Sequence, residues 1–492
     1  MNLCNIPTFT SVNKTYYDIY LSELQLSVIC ILSTYISRIS CIFALLKREN
    51  ENMKPQFLIG AVNSGSGKTV LAMGLLRLLK SRKLKVQPFK CGPNFMDVQL
   101  HALAGGTDSI NLDAFMASRT RLQSIYNTYG EKSDVCITEG TAALFDGYKR
   151  MLGSSAELSQ VLSIPVILVV NARSISYSVA PILFGFKNFN PSVHVAGVIF
   201  NQVSSSVHYS YLREACHDVG LQCLGYIPYD EKLRLPSGHT ALTQPIKAEL
   251  EEIIEKVAYY ISQYVDVEKL LKLCTRIFPC PYTLPYTSDI EAGNEPLLAG
   301  SRIKIAVARD SAFNFIYKEN LDHLYRDGNV QFFSPLYANE LPKVDLIYLP
   351  GGYPELFARQ LHRRKNFLQQ LRNYVENGGK VWAEGGGMVL LAKSLTTREG
   401  GTAYEMSGVL PIECSMIDTK LQSGYRCARI GNTMLDGYEF RYFNVESTSC
   451  LHKIKVFSVK GVEMETPFYR YKNVIAGTTH WGWGRDGLLS LF

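Results

Sequence analysis

The stretch Gly60-Ala-Val-Asn-Ser-Gly-Ser-Gly-Lys-Thr69 decides the fold of the first half of the chain. It follows the short apolar run 57–59 and precedes an apolar helical pattern over 70–79, which is the strand–loop–helix context of a phosphate-binding loop. Gly65 and Gly67 allow backbone N–H groups to turn toward phosphate oxygens, and the start of the helix adds its positive dipole end. The stretch therefore predicts a site for a nucleotide triphosphate.

The side chains of this loop predict ATP with Mg²⁺ as the ligands. Lys68 is expected to reach the terminal phosphates, and the Thr69 hydroxyl is expected to ligate magnesium. The spacing departs from the usual GxxxxGK[ST], because Val62 stands where the first glycine is expected. A glycine-rich turn that binds nothing is the alternative, and Gly-Lys-Thr at the start of an apolar helix argues against it. The predicted nucleotide contacts are Ser64, Gly65, Ser66, Gly67, Lys68 and Thr69.

Length and composition predict a globular protein of more than one domain. The chain has 492 residues, 47% of them hydrophobic and 19% charged, and a chain of this length is expected to form about two domains. The formal net charge of +7 is spread along the chain without a basic block, so neither nucleic acid nor a membrane is an expected partner. The 12 cysteines show no metal-binding spacing and indicate reduced thiols in a cytoplasmic protein.

Residues 1–52 differ from the rest of the sequence. The apolar run 24–46 contains Arg38, which disfavours a membrane span, and the lack of a charged start disfavours a signal peptide. Because Met53 directly precedes the first predicted strand, we expect residues 1–52 to be a leader that is disordered or absent from the native protein.

Apolar strands alternate with helical patterns in two blocks, which predicts an α/β fold with parallel sheets. The first block covers 53–265 and the second covers 301–492, with a proline- and glycine-containing linker at 266–300. Ligands are expected at the carboxyl ends of the strands in such sheets. The predicted strands are Phe57–Ile59, Val86–Phe89, Asp134–Thr138, Pro165–Val170, Val195–Phe200 and Leu224–Ile227 in the first block, and Ile303–Ala308, Val330–Phe333, Asp345–Leu349 and Lys380–Ala383 in the second.

Three carboxylates follow predicted strands on the side of the phosphate loop. Asp97 lies in the segment after the second strand, Glu139 ends the strand 134–138, and Asp146 follows shortly after it. A single carboxylate at a strand end often caps the next turn. The recurrence of three on one edge favours a functional set, with Glu139 as a magnesium ligand.

The motifs in this order resemble those of the cobyrinic acid a,c-diamide synthase family. That family joins a dethiobiotin-synthetase-like P-loop ATPase domain to a flavodoxin-like, class I glutaminase-type domain, and the resemblance extends from Met53 to about Gly487. The motifs that carry it are SGSGKT (64–69), KCGPNFMD with His101 (90–101), NLD (111–113), EGTAALFDG (139–147), LGYIPYDEKLRLP (224–236), ARDSAFNF (308–315), ENL (319–321), FFSPL (332–336), GGYPELF (351–357) and AEGGGM (383–388).

The resemblance implies an ATP-dependent amidoligase of cobalamin biosynthesis. ATP would phosphorylate a side-chain carboxylate of a corrinoid, and ammonia would displace phosphate from the acyl phosphate. Asp97 and Asp146 match family positions near the reacting groups, and Asn201 fits a contact to the purine or, equally, a turn former. The family also implies a homodimer. Asn94 and Phe95 replace the aspartate and tyrosine that usually precede Asp97, which leaves the identity of the tetrapyrrole open.

The second domain departs from the family where glutamine chemistry requires a cysteine nucleophile. Gly385 occupies that position, between the strand 380–384 and the helix that begins near Met388. His480 stands at the base position and is the candidate for that role, but Gly482 replaces the histidine that follows it in the family. We therefore expect ammonia to come from solution or another protein rather than from glutamine hydrolysed by this domain.

Three hypotheses follow from these residues. The first is an amidoligase that uses free ammonia, and the second is a non-catalytic relative that binds a tetrapyrrole or nucleotide. The second would explain Asn94, Phe95 and Gly385 as signs of decay. The third, a ParA-like nucleotide switch, leaves the KCGP and GGYPE segments unexplained. A related tetrapyrrole such as sirohydrochlorin is an alternative substrate for the first hypothesis.

Overall fold

The computed structural model describes residues 53–236, 244–281, 303–398, 401–449, 451–483 and 487–492. The predicted leader lies outside these residues. The first block forms a sheet of order β3-β2-β4-β1-β5-β6-β7 whose pairs are parallel, so the predicted α/β fold is confirmed. Its strands are β1 Met53–Ala61, β2 Val86–Cys91, β3 Ile110–Leu112, β4 Val135–Glu139, β5 Val166–Asn171, β6 Val195–Val203 and β7 Cys223–Pro228.

Helices cover both faces of this sheet because its central strands are apolar on both sides. In β1, Phe57 and Ile59 pack in one core while Leu58 packs in the core on the opposite face. The helices are α1 Lys68–Ser81, α2 Phe95–Gly105, α3 Arg119–Gly130, α4 Ser155–Leu162, α5 Val179–Asn188, α6 Ser206–Val219 and α7 Gln244–Tyr264.

The first domain extends further than the sequence indicates. Residues assigned above to the linker instead form helix α8 Val267–Leu273 and strand β8 Thr275–Ile277, and β8 pairs with β1. The backbone N–H of Gln56 donates to Cys274 O at 2.9 Å, and Leu270 and Cys274 are fully buried in the core under α1. The segment is part of the domain because its apolar side chains complete this core. The linker from residue 282 to 300 lies outside the described residues.

The second block forms a sheet of order β10-β9-β11-β12-β23-β22-β19. The pairs from β10 to β23 are parallel, as predicted, and the last two are antiparallel. The strands of this sheet are β9 Ile303–Ala308, β10 Gly328–Phe333, β11 Leu346–Leu349, β12 Lys380–Glu384, β19 His452–Lys453, β22 Phe468–Tyr471 and β23 Val474–Gly477. Its helices are α9 Lys318–Asp327, α10 Ala358–His362, α11 Lys365–Glu376 and α12 Gly386–Leu391.

Two further sheets, which the sequence does not predict, complete the second domain; their pairs are antiparallel except for the parallel pair of β13 and β15. One has order β14-β13-β15-β18 and the other has order β21-β20-β16-β17-β24. The long ribbon of β16 and β17 brings the second domain against the first. The strands are β13 Ser394–Thr396, β14 Ala403–Glu405, β15 Ile412–Ser415, β16 Gln422–Ile430, β17 Thr433–Arg441, β18 Asn444–Ser447, β20 Val456–Ser458, β21 Glu463–Met464 and β24 Thr479–Gly482.

Polar contacts join the two domains along α3 and α9. Arg121 Nε donates to Glu319 Oε1 at 2.6 Å, and the Tyr129 hydroxyl donates to the Asp322 carboxylate. In the described part of the chain, no helix has the length and apolar content needed to cross a membrane.

Candidate functional site

The phosphate loop has the backbone that its sequence predicts. Gly65 and Gly67 adopt φ values of 78° and 100°, a region that favours glycine, and α1 begins at Lys68. The Lys68 side chain is buried and its Nζ donates to the carbonyl oxygen of Ala142. Burial and the neighbouring Lys90 ammonium lower the pKa of Lys68. The loop thus holds a partly desolvated cation at the helix start, where phosphate oxygens are best stabilised.

Glu139 lies at the centre of a buried polar network beside this loop. Its Oε1 accepts from Thr69 Oγ1 at 2.7 Å and from Lys90 Nζ at 2.9 Å, and its Oε2 lies 2.6 Å from His101 Nε2. Burial by itself would raise the pKa of Glu139, but Lys90 and His101 outweigh it and hold that pKa well below its usual range. Glu139 is therefore a charged carboxylate at neutral pH.

Lys90 links Glu139 to Asp97. Lys90 Nζ lies 2.7 Å from Asp97 Oδ2, and Lys90 is paired with Glu139 across β2 and β4. Burial opposes the charge of Lys90, but Asp97 and Glu139 raise its pKa above the usual value, so it remains an ammonium. Asp97 stands in the first turn of α2, where Asn94 Oδ1 accepts from its backbone N–H at 2.9 Å.

Sequence reasoning did not assign site roles to Lys90 and His101, although both lie in the quoted motif 90–101. The sequence feature that could have identified Lys90 as a site residue is its position at the carboxyl end of β2, next to the strand that ends in Glu139. His101 Nδ1 lies 2.9 Å from Ser109 Oγ, which orients the ring toward Glu139. Both residues support the carboxylate that the sequence did identify.

The remaining predicted site residues lie outside the hydrogen-bond network of Glu139. Asp146 is exposed, and its backbone N–H donates to Ala143 O at 3.1 Å. Asn201 is buried, and its Nδ2 donates to Ser66 O at 2.9 Å while its Oδ1 accepts from the backbone of Gln202. Ser66 Oγ bonds Asn63, whereas Ser64 is exposed. Asn201 therefore stabilises the backbone of the phosphate loop, and its contact to a purine stays a prediction.

Gly385 has the backbone of a nucleophile elbow in the second domain. It joins β12 to α12 with φ 50° and ψ −120°, a conformation that side chains rarely adopt. A Cβ at this position would lie 2.5 Å from His480 Cε1 and 2.7 Å from His480 Nε2. The imidazole of His480 therefore occupies the space that a nucleophilic side chain would need.

Aromatic rings from both domains hold His480 in that place. The ring centroids of Phe95 and Phe315 lie 4.8 Å and 5.8 Å from that of His480, and the two phenyl rings stack on each other. Burial lowers the pKa of His480 to about 4, so the imidazole is neutral at pH 7. Its Nδ1 has no hydrogen-bond partner among the described residues. The charge of Glu439 and the backbone of Phe440 oppose the lowering of the His480 pKa, but burial outweighs both.

Comparison with known proteins assigns both domains. Residues 57–242 match the CobQ/CobB/MinD/ParA nucleotide binding domain, and residues 304–487 match the CobB/CobQ-like glutamine amidotransferase domain. Among curated relatives, the cobyrinate a,c-diamide synthase of Caldanaerobacter subterraneus is 35% identical over 406 residues, which cover 80% of this chain and 87% of that protein. The chain belongs to the cobyrinate a,c-diamide synthase family.

Two further relatives have similar coverage. The cobyrinate a,c-diamide synthase of Salmonella typhimurium is 34% identical over 447 residues, covering 86% of this chain and 94% of that protein. The hydrogenobyrinate a,c-diamide synthase of Brucella anthropi is 39% identical over 376 residues, covering 75% of this chain and 84% of that protein. The relatives thus share one type of reaction on two related tetrapyrroles.

Gly482, where the family resemblance leads us to expect a histidine, lies against the first domain. A Cβ at this position would lie 3.5 Å from both Cβ and Sδ of Met116, which is ordinary van der Waals contact. The structure therefore gives no steric reason for glycine here.

Glu384, which directly precedes the elbow, is a buried carboxyl held by indole and phenol groups. Its Oε1 accepts from Trp382 Nε1 at 2.6 Å and Trp483 Nε1 at 3.3 Å, and its Oε2 accepts from the Tyr348 hydroxyl at 3.0 Å. Burial raises the pKa of Glu384 to about 7, and these hydrogen bonds only partly oppose the shift. The folded protein therefore favours the neutral carboxyl.

We expect Glu384→Gln to make the protein more stable at pH 8. The pKa of Glu384 in the folded state, about 7, lies above the usual 4.5 of the unfolded chain. Between these pH values the folded state therefore binds more protons than the unfolded state, and its stability falls as the pH rises. The cost of ionising Glu384 at pH 8 is on the order of 3 kcal/mol, and the amide avoids it. Urea unfolding at pH 5 and pH 8 measures this, with the exposed Glu463→Gln as the control. An unchanged pH dependence in Glu384→Gln would contradict the expectation.

Proposed function

We propose that the protein catalyses the ATP-dependent amidation of the a- and c-side-chain carboxylates of cobyrinate. The observation that carries this proposal is the set of Lys68, Thr69, Lys90 and Glu139, which meet at the carboxyl edge of the first sheet. The Lys68 ammonium suits a transferring phosphoryl group, on which negative charge accumulates, and Lys90 keeps Glu139 charged beside it. Membership in a family of cobyrinate a,c-diamide synthases supports the substrate.

The reaction proceeds in two displacements. A carboxylate oxygen of the substrate attacks the γ-phosphorus of ATP, the bond to the bridging oxygen breaks, and ADP leaves. Lys68 leaves Ala142 O to bind the phosphoryl oxygens, and Lys90 holds the carboxylates of Asp97 and Glu139 in place. Ammonia then attacks the acyl carbon, phosphate leaves, and the nitrogen loses a proton to a base. Asp97 and Asp146 are our candidates for handling ammonia, substrate or metal.

Magnesium fits beside Thr69. The Thr69 hydroxyl donates its proton to Glu139, so the lone pairs of Thr69 Oγ1 are available to a hard cation. When bound, magnesium would neutralise charge on the phosphates. Both Glu139 oxygens are engaged by Thr69, Lys90 and His101, and direct ligation by Glu139 stays a prediction. Glu139 orients Thr69 in either case.

The ammonia for this reaction comes from solution or from another protein. Gly385 carries no thiol, and the buried, neutral His480 fills the position that a thiolate would take. The second domain then acts as a cover for the first, to which it contributes Phe315 and the β16–β17 ribbon. This role separates the present chain from a glutamine-hydrolysing synthase.

A non-catalytic relative is the competing function, and the charged network argues against it. Burying Lys90 and Glu139 is costly unless both are paired, and a chain released from catalysis has no need to retain them. The pairs of Lys90 with Asp97 and Glu139 have the short distances of charge-assisted hydrogen bonds. The intact network therefore favours the enzyme.

We further propose a cytoplasmic homodimer that acts without nucleic acid or membrane. The net charge of +7 is modest and suits a polycarboxylate substrate. The cysteines of the described residues are free thiols, as in a reducing compartment.

Incubation with ATP, Mg²⁺, ammonium and cobyrinate is expected to yield the a,c-diamide, detected by its mass. Glutamine in place of ammonium is expected to give no product, and a chelator of magnesium is expected to stop the reaction. Sirohydrochlorin serves as the comparison substrate. Absence of amide from cobyrinate with ammonium would overturn the proposal, and amidation of sirohydrochlorin alone would overturn the substrate.

A further inference from the structure

Four aromatic side chains meet where the β16–β17 ribbon contacts the first domain. Phe115 and Tyr148 come from the first domain, and Tyr425 and Tyr438 come from the ribbon. Ring centroids are 4.5 Å apart for Phe115 and Tyr425, 5.6 Å for Tyr148 and Tyr425, and 5.2 Å for Tyr425 and Tyr438. Each of the four residues, called here the junction cluster, keeps part of its surface exposed.

Specific contacts hold the rings of the junction cluster in place. The Tyr425 hydroxyl donates to Asp113 Oδ2 at 3.0 Å, and Asp113 Oδ1 accepts from the backbone of Phe115 at 2.8 Å. A Cβ on Gly153 would lie 2.4 Å from Tyr148 Cδ1, so the backbone of Gly153 packs against that ring. The rings are inclined to one another by 37° to 77°, so the cluster offers ring edges as well as faces to a ligand. Their fixed arrangement lowers the entropic cost of binding.

The junction cluster lies close to the phosphate site. Asn111 pairs with Lys90 across β3 and β2, and Asp113 follows Asn111 by two residues at the same edge of the sheet. Tyr148 follows the predicted site residue Asp146 by two residues. Two residues of extended chain span about 7 Å, which is less than the width of a tetrapyrrole, so one such ligand can extend from the cluster toward the phosphate site.

Two exposed cations project from the turn that follows Tyr148. Lys149 and Arg150 are exposed, and the turn is closed by bonds from the Gly147 N–H to Arg150 O at 2.7 Å and from the Leu152 N–H to Lys149 O at 3.1 Å. The closed turn fixes the backbone of both residues directly after Tyr148 of the junction cluster.

We propose that the junction cluster, with Lys149 and Arg150, is the platform on which the tetrapyrrole substrate binds. This inference rests on the proposed function and specifies where its substrate lies. A corrin macrocycle has broad apolar faces and a periphery of carboxylates. The rings contact a face, the two cations pair with peripheral carboxylates, and one further carboxylate extends toward Lys68 and the phosphate loop.

The double variant Lys149→Ala/Arg150→Ala tests the cationic part. Calorimetric titration with cobyrinate is expected to show a dissociation constant about tenfold higher than that of the parent at low salt, since two exposed ion pairs are lost. ATP affinity is expected to be unchanged. Lys85→Ala/Lys132→Ala is the matched control, because both lysines are exposed and precede β2 and β4 at the opposite end of the sheet. The control is expected to bind cobyrinate like the parent.

Tyr148→Leu tests the aromatic part, because it keeps an apolar contact with Gly153 but removes the flat ring. Weaker cobyrinate binding with an unchanged salt dependence supports the platform. Parent-like affinity in both the double variant and Tyr148→Leu overturns it, as does an equal loss in the control. Titration does not require turnover. Variant-sensitive binding without amidation would therefore contradict the proposed function alone, and amidation with variant-insensitive binding would contradict the platform alone.

Discussion

Gly385→Cys is expected to release no glutamate from glutamine, as is the unmodified protein. The unmodified chain has no thiol at the elbow, and a Cβ there would lie 2.5 Å from His480 Cε1. The imidazole has little room to move, because it is buried and packs against the stacked rings of Phe95 and Phe315. Its pKa of about 4 also leaves it without the charge that would stabilise a thiolate. Glutamate release, with and without ATP and cobyrinate, measures this.

The stability of two alanine variants tests the effect of a Cβ at position 385. Gly385→Ala adds the clashing Cβ, whereas Gly431→Ala adds a Cβ at a similarly positive φ of 58° with open space around it. Overpacking in a core costs about 1–3 kcal/mol, so Gly385→Ala is expected to lose that much more stability than Gly431→Ala. Robust glutamate release by the purified parent, after a control for contaminating glutaminase, would show that the nucleophile lies elsewhere.

Lys68→Ala is expected to lower ATP-dependent amidation by about a thousandfold, equivalent to about 4 kcal/mol of transition-state stabilisation. Lys68 is the buried cation at the start of α1, and alanine cannot replace its contacts to the transferring phosphoryl group. The effect is expected mainly in kcat, because charge on that group is greatest in the transition state. Steady-state phosphate release with ammonium and cobyrinate measures it.

Lys80→Ala is the matched control for Lys68→Ala, since Lys80 lies in the last turn of the same helix and is exposed. It is expected to retain the activity of the parent. Circular dichroism and unfolding of both variants establish that the fold is intact. If Lys68→Ala turned over ATP like the parent, the phosphate-loop interpretation would be wrong.

Much of the architecture followed from the sequence because buried parallel strands are continuous apolar runs. The predicted strand 57–59 lies within β1, and the predicted strand 165–170 matches β5 from Val166 onward; the central residues of both strands are buried. The segment 267–277 was harder to predict, because α8 and β8 are short and are stabilised by packing on the first domain. The antiparallel strands of the second domain are also short or half-exposed, and their apolar pattern is correspondingly weak.

For the site, the sequence alone determined the phosphate loop, the carboxylates at strand ends and the absence of a thiol at Gly385. These are local properties of residue type and spacing. Only the tertiary structure decided that Lys90 pairs with both Asp97 and Glu139, and that Asn201 bonds the phosphate loop. Likewise, only the folded chain brings Phe95 of one domain onto His480 of the other, 385 residues apart in sequence. Such contacts depend on how the helices and sheets pack against one another. The local pattern of residue types along the chain does not specify that packing.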